Sequence, residues 1–191
     1  MPHSVCPWWI GYLLLSPMRR WRQNPQRILE PWVRPGMTVV DVGCAMGYFT
    51  LPLAELVGPT GRVVAVDLQA RMLRALERRA RRAGVSTIIE TRRCTADSLG
   101  VADLTGRVDF ALLFAVAHEV PDVARLMGEI AAVLSPQGRA LLAEPSGHVS
   151  AEEFEASIAA ANAAGLAVVG QPVIARSRAV VLAAGGGPRH P

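Results

Sequence analysis

Val39-Val40-Asp41-Val42-Gly43-Cys44-Ala45-Met46-Gly47-Tyr48-Phe49 decides the fold of this 191-residue chain. A β-branched run carries an acid, two glycines follow four positions apart, and an apolar-periodic stretch begins, which predicts strand, tight turn and helix. Glycine lets the backbone approach a bound molecule closely. The turn also aims the free N–H groups of a helix N-terminus into the crevice at the strand's carboxyl end. The stretch therefore reads as a ligand seat, with a plain βα turn as the bland alternative.

Charge narrows the ligand. A dinucleotide would bring its diphosphate to this turn, where the Asp41 carboxylate repels it, and Gly43-x-x-x-Gly47 lacks the G-x-G-x-x-G spacing. S-adenosylmethionine instead carries an ammonium, a carboxylate and a sulfonium. Asp41 suits the ammonium, directly or through water, and the helix N-terminus suits the carboxylate. The stretch resembles motif I of the class I S-adenosylmethionine-dependent methyltransferases, D/E-x-G-x-G-x-G, with Ala45 in place of the central glycine. The resemblance implies cofactor contacts at Asp41, Gly43, Cys44, Ala45 and Gly47, with Cys44 as a small packing residue. The Ala45 methyl stands where backbone and cofactor are ordinarily closest.

Outward from the turn, a helix is expected to Val57, then a strand over 62–67 that ends in Asp67. A carboxylate there accepts hydrogen bonds from both ribose hydroxyls in Rossmann-like sites, and Leu68 and Met72 would lie near the adenine. Residues 69–83 read as a helix with arginines at 71, 74, 78, 81 and 82. That stripe is either a phosphate-contacting face or a solvated outer face opposite Leu73, Leu76 and Ala80; no interleaved aromatic stacks on bases, which favours the second. A third strand is expected over 86–93. In the family the next segment lies against the adenine, so Thr95 and Ala96, or Asp97 if the register slips, are implied as cofactor contacts; Asp97 as a helix N-cap is the alternative.

The fourth strand, 108–115, runs into Val116-Ala117-His118-Glu119-Val120-Pro121-Asp122, which resembles the post-strand segment of small-molecule methyltransferases, including the ubiquinone and menaquinone C-methyltransferases. Phe114 at its end is implied as a further cofactor contact. His118 and Glu119 sit where the methyl group would emerge, so either could serve as general base or simply brace the loop. Ser135-Pro136-Gln137-Gly138 reads as a turn and 139–144 as the fifth strand. Its terminal Glu144 could orient or deprotonate an acceptor, hold a metal, or brace the loop. One acid alone predicts no metal site. Ser150 to Glu153 forms a capping box that opens a helix closed at Gly165, and 166–175 with 178–184 read as a final hairpin.

Composition bounds the rest. The chain is 51% hydrophobic, enough for one buried domain. All 20 basic residues are arginine, so the net charge of +4 reflects a compositional bias more than a polyanion site. Cys6, Cys44 and Cys94 are scattered and odd in number, against a disulfide framework or zinc site and in keeping with a cytoplasmic protein. The apolar patch from Trp8 to Leu15 is too short to span a membrane.

The expectation is a class I α/β fold: a seven-stranded, mostly parallel sheet with an antiparallel last strand and helices on both faces, over residues 38–184. Residues 1–37, with all four tryptophans, would form a helical lid, and 185–191 a disordered tail. By the resemblance, Trp8, Trp9 and Tyr12 are candidate acceptor contacts, and His3-x-x-Cys6 could bring a thiophilic centre to the methyl group as in metalloid methylases. The expected activity is methyl transfer from S-adenosylmethionine to a small, partly apolar acceptor. A cofactor-binding protein without turnover and an RNA methylase using the arginine stripe are the alternatives. Against nucleic acid, the chain has no D/N/S-P-P-aromatic motif after strand four, no lysine for a K-D-K-E set and no proline-cysteine nucleophile. Its sequence sets no oligomeric state.

Overall fold

The computed structural model describes residues 23–185. The candidate acceptor residues Trp8, Trp9 and Tyr12, the His3-x-x-Cys6 pair and residues 186–191 lie outside them. In chain order the elements are α1 (Pro25–Leu29), β1 (Thr38–Val42), α2 (Thr50–Val57), β2 (Arg62–Asp67), α3 (Ala70–Arg82), β3 (Ile89–Arg93), β4 (Val108–Phe114), α4 (Val123–Val133), β5 (Leu134–Pro145), α5 (Ala151–Ala163), β6 (Leu166–Gly170) and β7 (Ser177–Ala184). Short 3₁₀ turns lie at Ala102–Leu104 and Ala117–Glu119.

One seven-stranded sheet runs in the order β3-β2-β1-β4-β5-β7-β6. β1 pairs in parallel with β2 on one side and β4 on the other, and β7 alone runs antiparallel to its two neighbours. The chain winds outward from β1 in both directions, so a crevice opens between the carboxyl ends of β1 and β4. Side-chain alternation splits the core. Val40, Val42, Val64 and Val66 face α4 and α5, whereas Val39 and Val63 pack with Leu29, Val33, Phe49 and Leu53 from α1, its following loop and α2.

Local chemistry sets the boundaries. The Asn24 side chain accepts from the Gln26 and Arg27 N–H groups with Pro25 in the first turn of α1, and Asp122 accepts from the Arg125 N–H to start α4. Ser150 and Glu153 complete the capping box of α5.

Three expected boundaries move. Ser135 to Gly138 is no separate turn: β5 begins at Leu134, opposite Val108, and register resumes at Phe110 opposite Arg139. The extra residues form a bulge in which a Cβ on Gly138 would stand 2.6 Å from the Val108 carbonyl oxygen, so only glycine lets the strands close there. β6 stops at Gly170, where pairing with β7 shifts register, and the expected 171–175 extension is loop. β3 starts at Ile89, not 86.

Candidate active site

Asp41 lies in β1 with 3% of its surface exposed, and Oδ2 accepts a 2.6 Å hydrogen bond from Thr50 Oγ1 in the first turn of α2. Burial pushes its carboxyl up to about 7; the Thr50 bond opposes that shift and the nearby Asp67 charge adds to it. Asp67 closes β2, with Oδ2 accepting from the Ala45 N–H at 2.9 Å and Oδ1 from the Gln69 N–H at 2.8 Å. Burial raises its carboxyl too, against those two bonds. The two carboxylates thus flank one turn and no described cation pairs with either.

Three residues of that turn take positive φ: Gly43 at 69°, Ala45 at 47° and Gly47 at 83°. Glycine is required at the outer two by the protein itself. A Cβ on Gly43 would lie 2.6 Å from Val116 Cγ2, and one on Gly47 2.4 Å from Leu76 Cδ1. Ala45 carries the left-handed conformation with a side chain, at a cost of about 1–2 kcal/mol. Its methyl packs with Met46, Met72 and Ala75. Cys44 is buried among Ala65, Leu73 and Leu76, and burial pushes its thiol well up, which makes it a packing group and a poor nucleophile.

Around this seat, Leu68 is the exposed apolar residue beyond β2. The next turn is tied to it by the Cys94 N–H bonding the Asp67 carbonyl. Thr95 pairs with Ser98 in a small bridge, with Ala96 exposed at its tip. Asp97 turns outward, its side chain 84% exposed and paired with Arg125 at 3.2 Å, and no helix follows it to be capped. Phe114 ends β4 against Phe49, ring centroids 4.4 Å apart.

The other side of the crevice is built on Glu144. It is 1% exposed, and Oε1 accepts from the Val116 and Ala117 N–H groups at 3.2 and 2.8 Å. Oε2 pairs with Nδ1 of His118. The loop after β4 is therefore folded around one carboxylate. His118 keeps about a third of its side chain exposed, and its pKa is raised, chiefly by the bond to Glu144, with burial opposing and Glu119 and Glu153 adding to the rise. Glu119 follows in the same 3₁₀ turn. The fold thus brings Asp41, Asp67 and the turn to one side of the crevice and His118, Glu119 and Glu144 to the other. Among the described residues no His/Cys/Asp/Glu group has metal-holding geometry, and no helix is long and apolar enough to cross a membrane.

Sequence reasoning missed three contributors. Thr50 orients Asp41, Val116 packs on Gly43, and Arg79 donates Nη1 to the Met46 carbonyl inside the turn. For Arg79 the signal was present: it lies four residues from Ala75 and three from Leu76, so it is a charge on the buried side of α3 and not part of the outer stripe.

Comparison with known proteins agrees with this geometry. A family profile described as "Methyltransferase domain" matches residues 34–175. The chain belongs to that family. Its fold is shared with a SAM-dependent methyltransferase from Aquifex aeolicus, TM-score 0.82 at 21% identity, over 94% of this chain and 98% of that one. Nocamycin O-methyltransferase of Saccharothrix syringae is 34% identical over 59% of this chain and 39% of its own length. Demethylmenaquinone methyltransferase of Bacillus cytotoxicus is 29% identical over 67% and 52%. The chain spans about half the length, or less, of these two relatives. That family, together with the SAM-dependent methyltransferase that shares the fold, makes S-adenosylmethionine the cofactor to weigh against this geometry. The residues present suit that cofactor: Asp41 and Asp67 are buried carboxylates with no described cation paired to them, on either side of a turn of positive-φ residues.

Proposed function

We propose that this methyltransferase acts on a small, partly apolar acceptor, with residues 41–47 as the cofactor seat and His118, held by Glu144, as the proton acceptor. The observation that carries the reading is the Glu144 anchor. A buried carboxylate tied to two backbone N–H groups fixes the imidazole through Nδ1, so Nε2 is the ring nitrogen left to meet an acceptor.

In this reading Asp41 holds the ammonium of the cofactor and Asp67 the ribose hydroxyls, with Leu68, Thr95, Ala96 and Phe114 lining the adenine side. Bound S-adenosylmethionine supplies a methyl group whose sulfur leaving group is already activated. The protein's share is then alignment, exclusion of water, and removal of a proton where the acceptor carries one. His118 takes that proton on Nε2 while Glu144 stabilises the imidazolium that forms. Glu119, in the same turn, adds negative charge to the imidazolium's surroundings.

In this reading the N-terminal segment covers the acceptor, and its first described residue, Gln23, joins the sheet close to the Glu144 end of β5. The Gln23 side chain donates to the Ala175 carbonyl at 2.9 Å, and the Gln23 backbone carbonyl accepts from Tyr48 Oη at 2.8 Å. Ser177, which Gln23 also contacts, pairs with Pro145 one residue beyond Glu144. The reading keeps Trp8, Trp9 and Tyr12, which lie outside the described residues, as the candidate acceptor contacts. The O-methyltransferase and menaquinone methyltransferase relatives support an acceptor of this small size.

Incubation with methyl-labelled S-adenosylmethionine and two acceptor sets, hydroxylated aromatic small molecules and total RNA, tests the reading. Label on a small molecule that falls about 100-fold or more with His118→Asn supports it. Label on RNA, bound with steep salt dependence, transfers the function to the exposed arginines of α3.

A further inference from the structure

We propose that Arg79 is a positioning residue that locks the cofactor turn into its working shape, and that this chain depends on it because Ala45 stands where the turn calls for glycine. The inference rests on the reading of residues 41–47 as the cofactor seat.

The turn is gripped on both sides of its most strained point. The Ala45 N–H is held by Asp67 at the end of β2, and the carbonyl of the next residue, Met46, is held by Nη1 of Arg79 on α3. Between those two bonds lies the Ala45 φ of 47°. Arg79 is also unlike its neighbours: Arg74, Arg78, Arg81 and Arg82 are exposed, whereas Arg79 is half-buried and forms no salt bridge to any described carboxylate. Burial lowers its pKa, a sign that the guanidinium has given up hydration to reach this acceptor. Below it, Met46, Met72 and Ala75 form a small apolar cluster that seats the Ala45 methyl.

The physical consequence concerns the φ angle. A glycine released from such a grip visits positive and negative φ about equally, so the turn keeps much of its shape. An alanine released from it falls back to negative φ, turning its N–H away from Asp67 and collapsing the seat. Arg79 is thus worth more beside Ala45 than it would be beside glycine.

A double-mutant cycle on the full chain tests this by calorimetric titration with S-adenosylhomocysteine. Arg79→Ala is expected to weaken binding about tenfold, the loss of one charge-assisted hydrogen bond. Arg79→Lys should recover part of it, because an ammonium reaches the same carbonyl. In an Ala45→Gly background, Arg79→Ala should cost about threefold or less. Amide exchange across residues 43–47 in the free protein should quicken with Arg79→Ala and slow again in the double variant, a change that a general loss of stability would not confine to one turn. Equal cost in both backgrounds, or unchanged exchange, overturns the proposal. Asp41→Asn serves as the separate control: if it leaves S-adenosylhomocysteine binding intact, the cofactor seat is misassigned, and the exchange result still decides whether Arg79 locks the turn.

Discussion

Asp41 and Glu144 are almost equally buried, at 3% and 1% exposure, and lie on the same edge of the sheet, yet the protein treats them in opposite ways. Glu144 is provided for from within: two backbone N–H groups and an imidazole take up its charge. Asp41 receives one hydroxyl, from Thr50, and faces a second carboxylate, Asp67, across the turn. A satisfied buried carboxylate organises its own protein, here the loop after β4. One whose charge meets a single hydroxyl and a second carboxylate is held at a cost to stability, which fits the proposed role of receiving a ligand's positive charge.

The sharpest way to break this contrast is to remove Glu144. Glu144→Ala leaves the Val116 and Ala117 N–H groups without an acceptor and should cost about 3–5 kcal/mol, lowering the thermal midpoint by about 10 °C. Glu144→Gln, whose amide oxygen still accepts, should lose far less. Equal losses would mean that the carboxylate organises nothing.

Asp41→Asn should act in the other direction. Because the folded-state pKa of about 7 lies above the ordinary 3.8, folding takes up a proton between those values, and the stability linked to that proton is present below about pH 4 and lost as pH rises through 7. At pH 8 the ionised Asp41 therefore weighs against the fold. Replacing it should stabilise the free protein by roughly 4 kcal/mol at pH 8 and by nothing near pH 4, while weakening S-adenosylhomocysteine binding tenfold or more. Thermal melts at the two pH values read the first effect and titration reads the second.

The acceptor side has a pH signature of its own. His118 has a raised pKa and so stays protonated to higher pH than a free imidazole, and turnover that needs a bare Nε2 should rise with pH through that value. Glu144→Gln removes the negative partner, and the rise should move to lower pH with a smaller kcat. A profile that does not move would assign His118 to loop bracing alone. The smallest expected effect is that of Ala45→Gly, a gain of about 1 kcal/mol from relief of the left-handed alanine, reduced by glycine's greater freedom in the unfolded chain.

Much of this was legible in the sequence for identifiable reasons. β1, β2 and β4 are short, mostly apolar runs rich in valine, leucine and phenylalanine, and the glycines that follow β1 occupy positions where positive φ and a neighbour's side chain leave no room for a Cβ. The Ser150–Glu153 capping box marked its helix by local hydrogen bonding alone. What failed depended on partners far along the chain. Ser-Pro-Gln-Gly has turn chemistry, but its close pairing with Val108 keeps it inside β5. Asp97 has N-cap chemistry and instead meets Arg125, 28 residues away. The Glu144 grip on two N–H groups and His118 could be suspected as loop bracing, yet no spacing in the sequence announces it.

The most direct test of the account is the proton balance of cofactor binding. At pH 7, with a carboxyl pKa of about 7, Asp41 is about half protonated in the free protein, and an ammonium placed against it should expel that proton. Calorimetric titration with S-adenosylhomocysteine in two buffers of different ionisation enthalpy should report about half a proton released by the wild-type chain and close to none by Asp41→Asn. Equal release by both, or tight binding with none, would contradict the assignment of Asp41 as the ammonium's partner.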